Sequence, residues 1–125
     1  MFSFEKLDAW HQAMELTDQV YKVSAEFPRE ERFGLTSQIR RASVSIASNI
    51  AEGNGRTSAA DHCRFVEIAC GSVMEVVSQL HVAMRQSLVD RERSEQVLEH
   101  AERLARMLSG LKSSLQRDGG RDPQH

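Results

Sequence analysis

From Val97 to Leu115 the apolar residues Val97, Ala101, Leu104, Leu108, Leu111 and Leu115 fall at alternating steps of four and three without a fault. An α-helix turns once in about 3.6 residues, so such a series lies along one side of it as a single stripe. A helix striped in this way must bury the stripe against another element, and the regularity of this one marks the seam of a bundle or coiled coil.

Three further segments carry the same periodicity. Between Phe4 and Phe27, Leu7, Trp10, Met14 and Tyr21 recur at helical steps with Thr17 in the missing place, and Leu16, Val20 and Val23 widen the stripe. Pro28 must end this helix, because proline disfavours the α conformation in the residue before it and has no N–H to donate. After the charged connection Arg29–Arg32, a second helix begins near Gly34–Thr36 and runs to Glu52 on the stripe Leu35, Ile39, Ala42, Ile46 and Ile50. Gly53, Asn54 and Gly55 are expected to close it through a left-handed residue. Ser58 is a good N-cap for a third helix, with Asp61 placed against the positive end of its dipole. That helix carries Phe65, Ala69, Val73, Val76, Leu80 and Ala83, with Ile68, Ser72 and Val77 beside them, and reaches about Ser87. Asp90–Arg93 separates it from the fourth helix. Residues 116–125 contain no apolar side chain but do contain Gly119, Gly120 and Pro123, the signature of a disordered, flexible tail. No β-branched run of period two competes. The expected fold is all-α, an antiparallel up-and-down four-helix bundle over residues 1–115 followed by a tail at 116–125.

Composition narrows the function. A chain of 125 residues fits one domain. Its net charge of −2 and pI near 6.2 exclude the overall basic excess of a polyanion-binding protein, so any nucleic-acid contact must be local. Cys63 and Cys70 stand seven residues apart on one helix, about 10 Å along its axis, and cannot pair within the chain. Met1–Trp10 lacks the apolar run of a signal peptide, and no stretch approaches the roughly 20 apolar residues of a membrane span. A cytoplasmic protein with reduced thiols and no membrane partner is the expectation.

The second helix is more specific than a generic bundle helix. Gly34-Leu35-Thr36-Ser37-Gln38-Ile39-Arg40-Arg41-Ala42 leads into Ser45-Ile46-Ala47-Ser48-Asn49-Ile50-Ala51-Glu52-Gly53. Phe4, Leu7 and Trp10 open the first helix, Val20-Tyr21 and Phe27-Pro28 close it, and Phe65, Ile68-Ala69, Gly71-Ser72 and Glu75 mark the third. Over residues 4 to about 88 this pattern resembles the four-helix-bundle family also called 23S rRNA intervening-sequence proteins, which is related to the accessory variability determinant of diversity-generating retroelements. The chain has Ala47 where the family commonly has proline, which should leave the second helix straighter. The resemblance implies a homo-oligomeric, ring-forming bundle with a pentamer favoured, and RNA or DNA as a partner. The pI near 6.2 sets this chain apart from the strongly basic retroelement branch.

Between residues 35 and 56, Arg40, Arg41 and Arg56 stand against the single acid Glu52, a balance of +2 and the one clearly positive stretch. These arginines are the candidate nucleic-acid contacts, since a guanidinium fork suits phosphate; it suits carboxylate equally, so subunit contacts are the competing reading. Gln38, Asn49 and Glu52 are the candidate structural or interface polar residues, because asparagine is mildly unfavourable inside a helix and its presence asks for a specific contact. No catalytic group is assigned: nothing beside Glu52 supplies a nucleophile, and the serines lie in no nucleophile turn. No metal site is assigned either. His62 and Cys63 are adjacent and diverge on a helix, and His81 lies some three turns beyond Cys70. His11, His100 and His125 read as isolated surface positions. Gly53–Ser58 lacks the preceding strand and following lysine of a nucleotide loop and reads as a tight turn, so no cofactor is expected. The function that follows is a non-enzymatic, homo-oligomeric adaptor that binds RNA or DNA through local arginines; the alternative is a structural or protein-binding oligomer with no nucleic-acid role.

Overall fold

The four periodic segments become α1 (Asp8–Ser24), α2 (Leu35–Asn54), α3 (Ala59–Arg85) and α4 (Arg91–Gly120) in a computed structural model that describes residues 1–120. Short 3-10 turns at Ser3–Lys6 and Arg29–Glu31 precede α1 and α2. Each helix packs on two neighbours: α1 on α2 and α4, and α3 on α2 and α4. Neither diagonal pair makes close backbone contact among the described residues, so the helices form a closed square of up-and-down neighbours. The α2–α3 seam is the most extensive and the α1–α4 seam the sparsest.

The stripe of α4 is buried from Val97 through Ala101, Leu104 and Leu108, with Leu111 and Leu115 packed at its margin. Facing it are Ile39, Ala42, Ile46 and Ile50 of α2 and Val66, Ala69, Val73, Val76, Leu80 and Ala83 of α3. A fully buried side chain of this size contributes about 1.5–3 kcal/mol, so these stripes hold the bundle together. In α1 the buried row is Ala9, Ala13, Leu16, Val20 and Val23, whereas Met14 and Tyr21 of the expected stripe stand outside. Both rows have helical spacing, so periodicity admits either. The row with small residues at Ala9 and Ala13 lets α1 approach its neighbours, and that decides which one turns inward.

The helix ends follow local chemistry. The Ser58 hydroxyl caps α3 by accepting the Asp61 N–H at 3.0 Å. The end of α2 departs from expectation: Gly55 has φ −86° and no described glycine is left-handed. The left-handed residue is Ser87, at φ 59°, just past α3. There the Leu88 N–H reaches the Ala83 carbonyl at 2.9 Å and the Ser87 N–H reaches that of Met84 at 3.1 Å, the paired bonds of a Schellman ending. Gly53 serves another purpose. A Cβ on it would lie 2.8 Å from the Phe65 Cβ, so its lack of a side chain permits the close approach of α2 and α3. α2 runs unbroken through Ala47, as expected without proline.

At the other end of the chain α4 continues past Leu115 to Gly120, so residues 116–120 are helical rather than part of the tail. Gln116 and Arg117 are good helix formers, and Arg117 suits the negative end of the dipole. The remainder of the expected tail, 121–125, lies outside the described residues. α3 also corrects an expectation: it reaches a mean hydropathy of 1.3 over an 18-residue window, long and apolar enough by composition to cross a membrane. In the bundle, its most apolar row is the shared core.

Glycine substitutions should separate these roles. Gly71 and Gly110 face open space, so Gly71→Ala and Gly110→Ala are expected to stabilise the protein by about 0.5–1 kcal/mol through helix propensity. Gly53→Ala should instead cost about 1–3 kcal/mol by overpacking against Phe65. Urea denaturation gives all three, and a neutral Gly53→Ala would show that the two helices do not need this approach.

Candidate functional site at the seam of the second and third helices

One row of α2 is polar throughout: Gln38, Arg41, Ser45, Asn49 and Glu52 recur at steps of three and four beside the apolar stripe. Its upper part faces Ser72, Glu75 and Gln79 of α3, and together Gln38, Arg41, Ala42, Ser45, Ser72, Glu75 and Gln79 line a cleft of ≈ 430 Å³. At its floor the Ser45 and Ser72 hydroxyls lie 2.9 Å apart. The Asn49 amide donates to the Ser45 hydroxyl at 3.0 Å and to the Ser45 carbonyl at 2.8 Å. Asn49 thus contacts its own helix and aims Ser45 at α3. Arg41 and Glu75 are exposed at the rim, and neither makes an ion pair among the described residues. The Gln79 Oε1 atom is closed to solvent and has no hydrogen-bond partner.

The three candidate arginines do not form one patch. Arg40 turns toward α1, where its Nε donates to the Ser24 hydroxyl at 2.8 Å and its guanidinium lies 4.5 Å from the centre of the Tyr21 ring. Arg56, beyond the far end of α2 and about 24 Å away by helical rise, is held by Glu52 at 2.9 Å and stacks over Phe65 at 4.6 Å. Only Arg41 is left exposed without a partner. Of the three polar candidates, Asn49 joins the serine pair, Gln38 lines the cleft and Glu52 is engaged by Arg56.

Ser72, Glu75 and Gln79 were not singled out as site residues in the sequence, although the signal was there. Polar residues at three- and four-residue steps on consecutive helices can face each other once the helices are antiparallel. Which rows do so depends on helix rotation, and that is set by the core.

The expectation that His100 lies on the surface is wrong. It is 3% exposed on the α1–α4 seam, with Nδ1 3.0 Å from Gln19 Oε1 and Nε2 2.8 Å from Gln12 Oε1. Its i−3 and i+4 neighbours Val97 and Leu104 are core residues, so the same periodicity that found the seam places His100 beside it. Burial holds its pKa below the ordinary 6.5, with nearby Arg103 adding to the effect and Glu15 opposing it. His11 is exposed, as expected, and bonds the Glu5 carbonyl at 2.6 Å; His125 lies outside the described residues.

The dispersed metal-type residues stay dispersed. Cys63 is buried, with its sulfur 4.0 Å from Glu67, and Cys70 is half-buried, its thiol pushed up chiefly by burial. The His62 Nε2 is buried without a partner near Gly53, and His81 lines a separate cleft with Met84 and Arg91. No three His, Cys, Asp or Glu side chains converge on a metal-sized site among the described residues.

The model of the family described as 23S rRNA-intervening sequence protein matches residues 5–110, which span α1, α2, α3 and most of α4. The chain belongs to that family. The chain also shares its fold with a crystal structure of a protein of unknown function from the S23 ribosomal protein family of Bacteroides thetaiotaomicron VPI-5482. The two are 22% identical with a TM-score of 0.75, over 83% of this chain and 97% of that one. No curated protein matches it. The family and the structural neighbour carry no assigned activity.

The buried histidine makes stability depend on pH. With its folded pKa lowered, His100 takes up a proton more readily in the unfolded chain. Its contribution is therefore complete above pH 6.5 and is lost as pH falls through the depressed folded value. His62, also lowered by burial, acts in the same direction. Urea midpoints at about pH 7.5 and about pH 5.5 should show lower stability in acid, and His100→Gln should reduce that difference. An unchanged difference in the variant would mean that His100 does not carry it.

Proposed function

We propose that the chain is a non-enzymatic homo-oligomer, an adaptor whose assembled helical faces hold a partner. The observation that carries this reading is apolar surface on two sides of the bundle. Met14 and Tyr21 of α1 are 41% and 42% exposed, and Val44, one turn after the Arg40 that touches Tyr21, is 44% exposed. On α3, Ile68, Met74 and Val82 are 45%, 54% and 46% exposed. Apolar area of this kind is seldom left in water when it can be covered by association. Apolar side chains exposed on two different sides of one molecule favour a head-to-tail contact, one side of each subunit against the other side of the next, which closes into a ring when the rotation permits. The choice of a pentamer comes from the family resemblance alone. The non-enzymatic reading is supported by the cleft chemistry: Ser45 bonds Ser72 and accepts from Asn49, and no histidine is among the residues that line the cleft.

Light scattering at micromolar concentration should give a mass several times the 14.1 kDa chain. Met14→Glu and Ile68→Glu, one on each patch, should each lower it, because a head-to-tail contact needs both. A monomer at every concentration would remove the ring and all that depends on it.

A second reading, contact with RNA or DNA, is favoured by one observation, the exposed and unpaired Arg41. A ring would repeat this charge around its axis, converting one weak phosphate contact per subunit into a multivalent one. Arg40 and Arg56 are engaged within the fold and would contribute less. Arg41→Glu should abolish retention of RNA at low salt while leaving the mass unchanged, and retention by the natural protein should fall steeply as salt rises. Arg40→Glu should instead lower the melting temperature by breaking the Ser24 and Tyr21 contacts. Retention unaffected by Arg41→Glu would leave the protein-binding oligomer as the function.

A further inference from the structure

We propose that the cleft between α2 and α3 binds a small zwitterion of the α-amino-acid class, with the ligand carboxylate on Arg41 and its ammonium on Glu75. The proposal is independent of the assembly reading and competes with the nucleic-acid reading, because both claim Arg41.

Three features of the cleft point to a ligand. Arg41 on α2 and Glu75 on α3 face the same space of ≈ 430 Å³ yet do not pair with each other or with any other described residue. One cation and one anion, on the two helices that wall the cleft, match a molecule that carries both charges on groups attached to a single carbon. One turn further along the seam the Ser45–Ser72 pair, steadied by Asn49, gives the cleft a fixed polar floor. A rigid floor positions a ligand at little entropic cost. Third, the Gln79 Oε1 has no donor, and a buried polar atom left unpaired costs stability. The terminal torsion of glutamine is soft, so this amide can turn into the cleft and accept an N–H from the ligand.

The lining also selects against alternatives. It contains no aromatic side chain on which a nucleobase could stack, and its single cation is balanced by an acid, which disfavours a phosphate-rich molecule. A volume of ≈ 430 Å³ is ample for an amino acid and lies toward the small end of ligand pockets. Among amino acids, one with a side-chain amide offers the additional N–H that Gln79 lacks.

Ligand-observed NMR with the full chain and L-glutamine tests the assignment, with acetate and methylammonium as probes that carry one charge each. L-Glutamine should bind with a dissociation constant on the order of 1 mM and the single-charge probes far more weakly. Arg41→Ala and Glu75→Ala should each weaken binding about tenfold or more, since each removes a charge-assisted contact. Gln79→Leu should weaken binding while raising the melting temperature, because it removes the orphaned carbonyl; a residue serving only the fold would lower that temperature when replaced. Absence of L-glutamine binding, binding indifferent to both rim substitutions, or tighter binding of guanosine monophosphate at the same residues would each overturn the proposal.

Discussion

Where Gly53 meets Phe65, any side-chain carbon on α2 would stand within 2.8 Å of α3, so the two helices come together as closely as they do because nothing projects there. The most extensive seam of the bundle grows from this approach. Ile39, Ala42, Ile46 and Ile50 can then interleave with the valines of α3, and α1 and α4 complete the square against a pair whose spacing is already set. The turn between the helices is short because they run so close, and Arg56 closes it by stacking over the same Phe65 that lies against Gly53.

Rotation of α2 and α3 about their axes is decided by the core and inherited by the polar row beside it. Once the isoleucines face inward, Ser45 faces Ser72, and Gln38 and Arg41 line one cleft with Glu75 and Gln79. A hydroxyl pair at 2.9 Å contributes little net stability, but it is directional and so penalises a slipped register. Chemistry at the cleft is thereby coupled to packing in the core. The residues that make the cleft polar are tolerated next to the apolar stripe because the rim remains open to water.

The α1–α4 seam shows the opposite arrangement. It is the sparsest of the four, and a buried histidine is held there between Gln12 and Gln19. Both ring nitrogens face an amide oxygen, and neutral imidazole carries a single N–H, so one of the two glutamines must turn its NH2 group to the ring while the histidine is neutral. Protonation would change that requirement and bring a charge into the seam, which is why acid should loosen this side first.

Helix number, the buried faces of α2 and α4 and the breaks at Pro28, Ser58 and Asp90 were legible in the sequence because each depends on local rules: a period of about 3.6, a missing N–H, a hydroxyl in reach of an N–H three residues on. The same rules could not choose between Met14–Tyr21 and Ala13–Val20 as the buried row of α1, since both repeat at helical steps. Nor could they foresee Ser87 in the left-handed region, or that the helical run of α4 would outlast its apolar stripe. The positive balance around Arg40, Arg41 and Arg56 was a property of chain distance, and folding dispersed it: one arginine went to Tyr21, one to Phe65, and one was left at the cleft. His100, Ser72, Glu75 and Gln79 acquired their roles only when antiparallel neighbours were brought against them. The sequence alone determined which segments are helical and that they must share a core, because periodicity and capping act within a few residues; the tertiary structure decided which polar groups meet, because that depends on helix rotation and on the close approach that Gly53 permits.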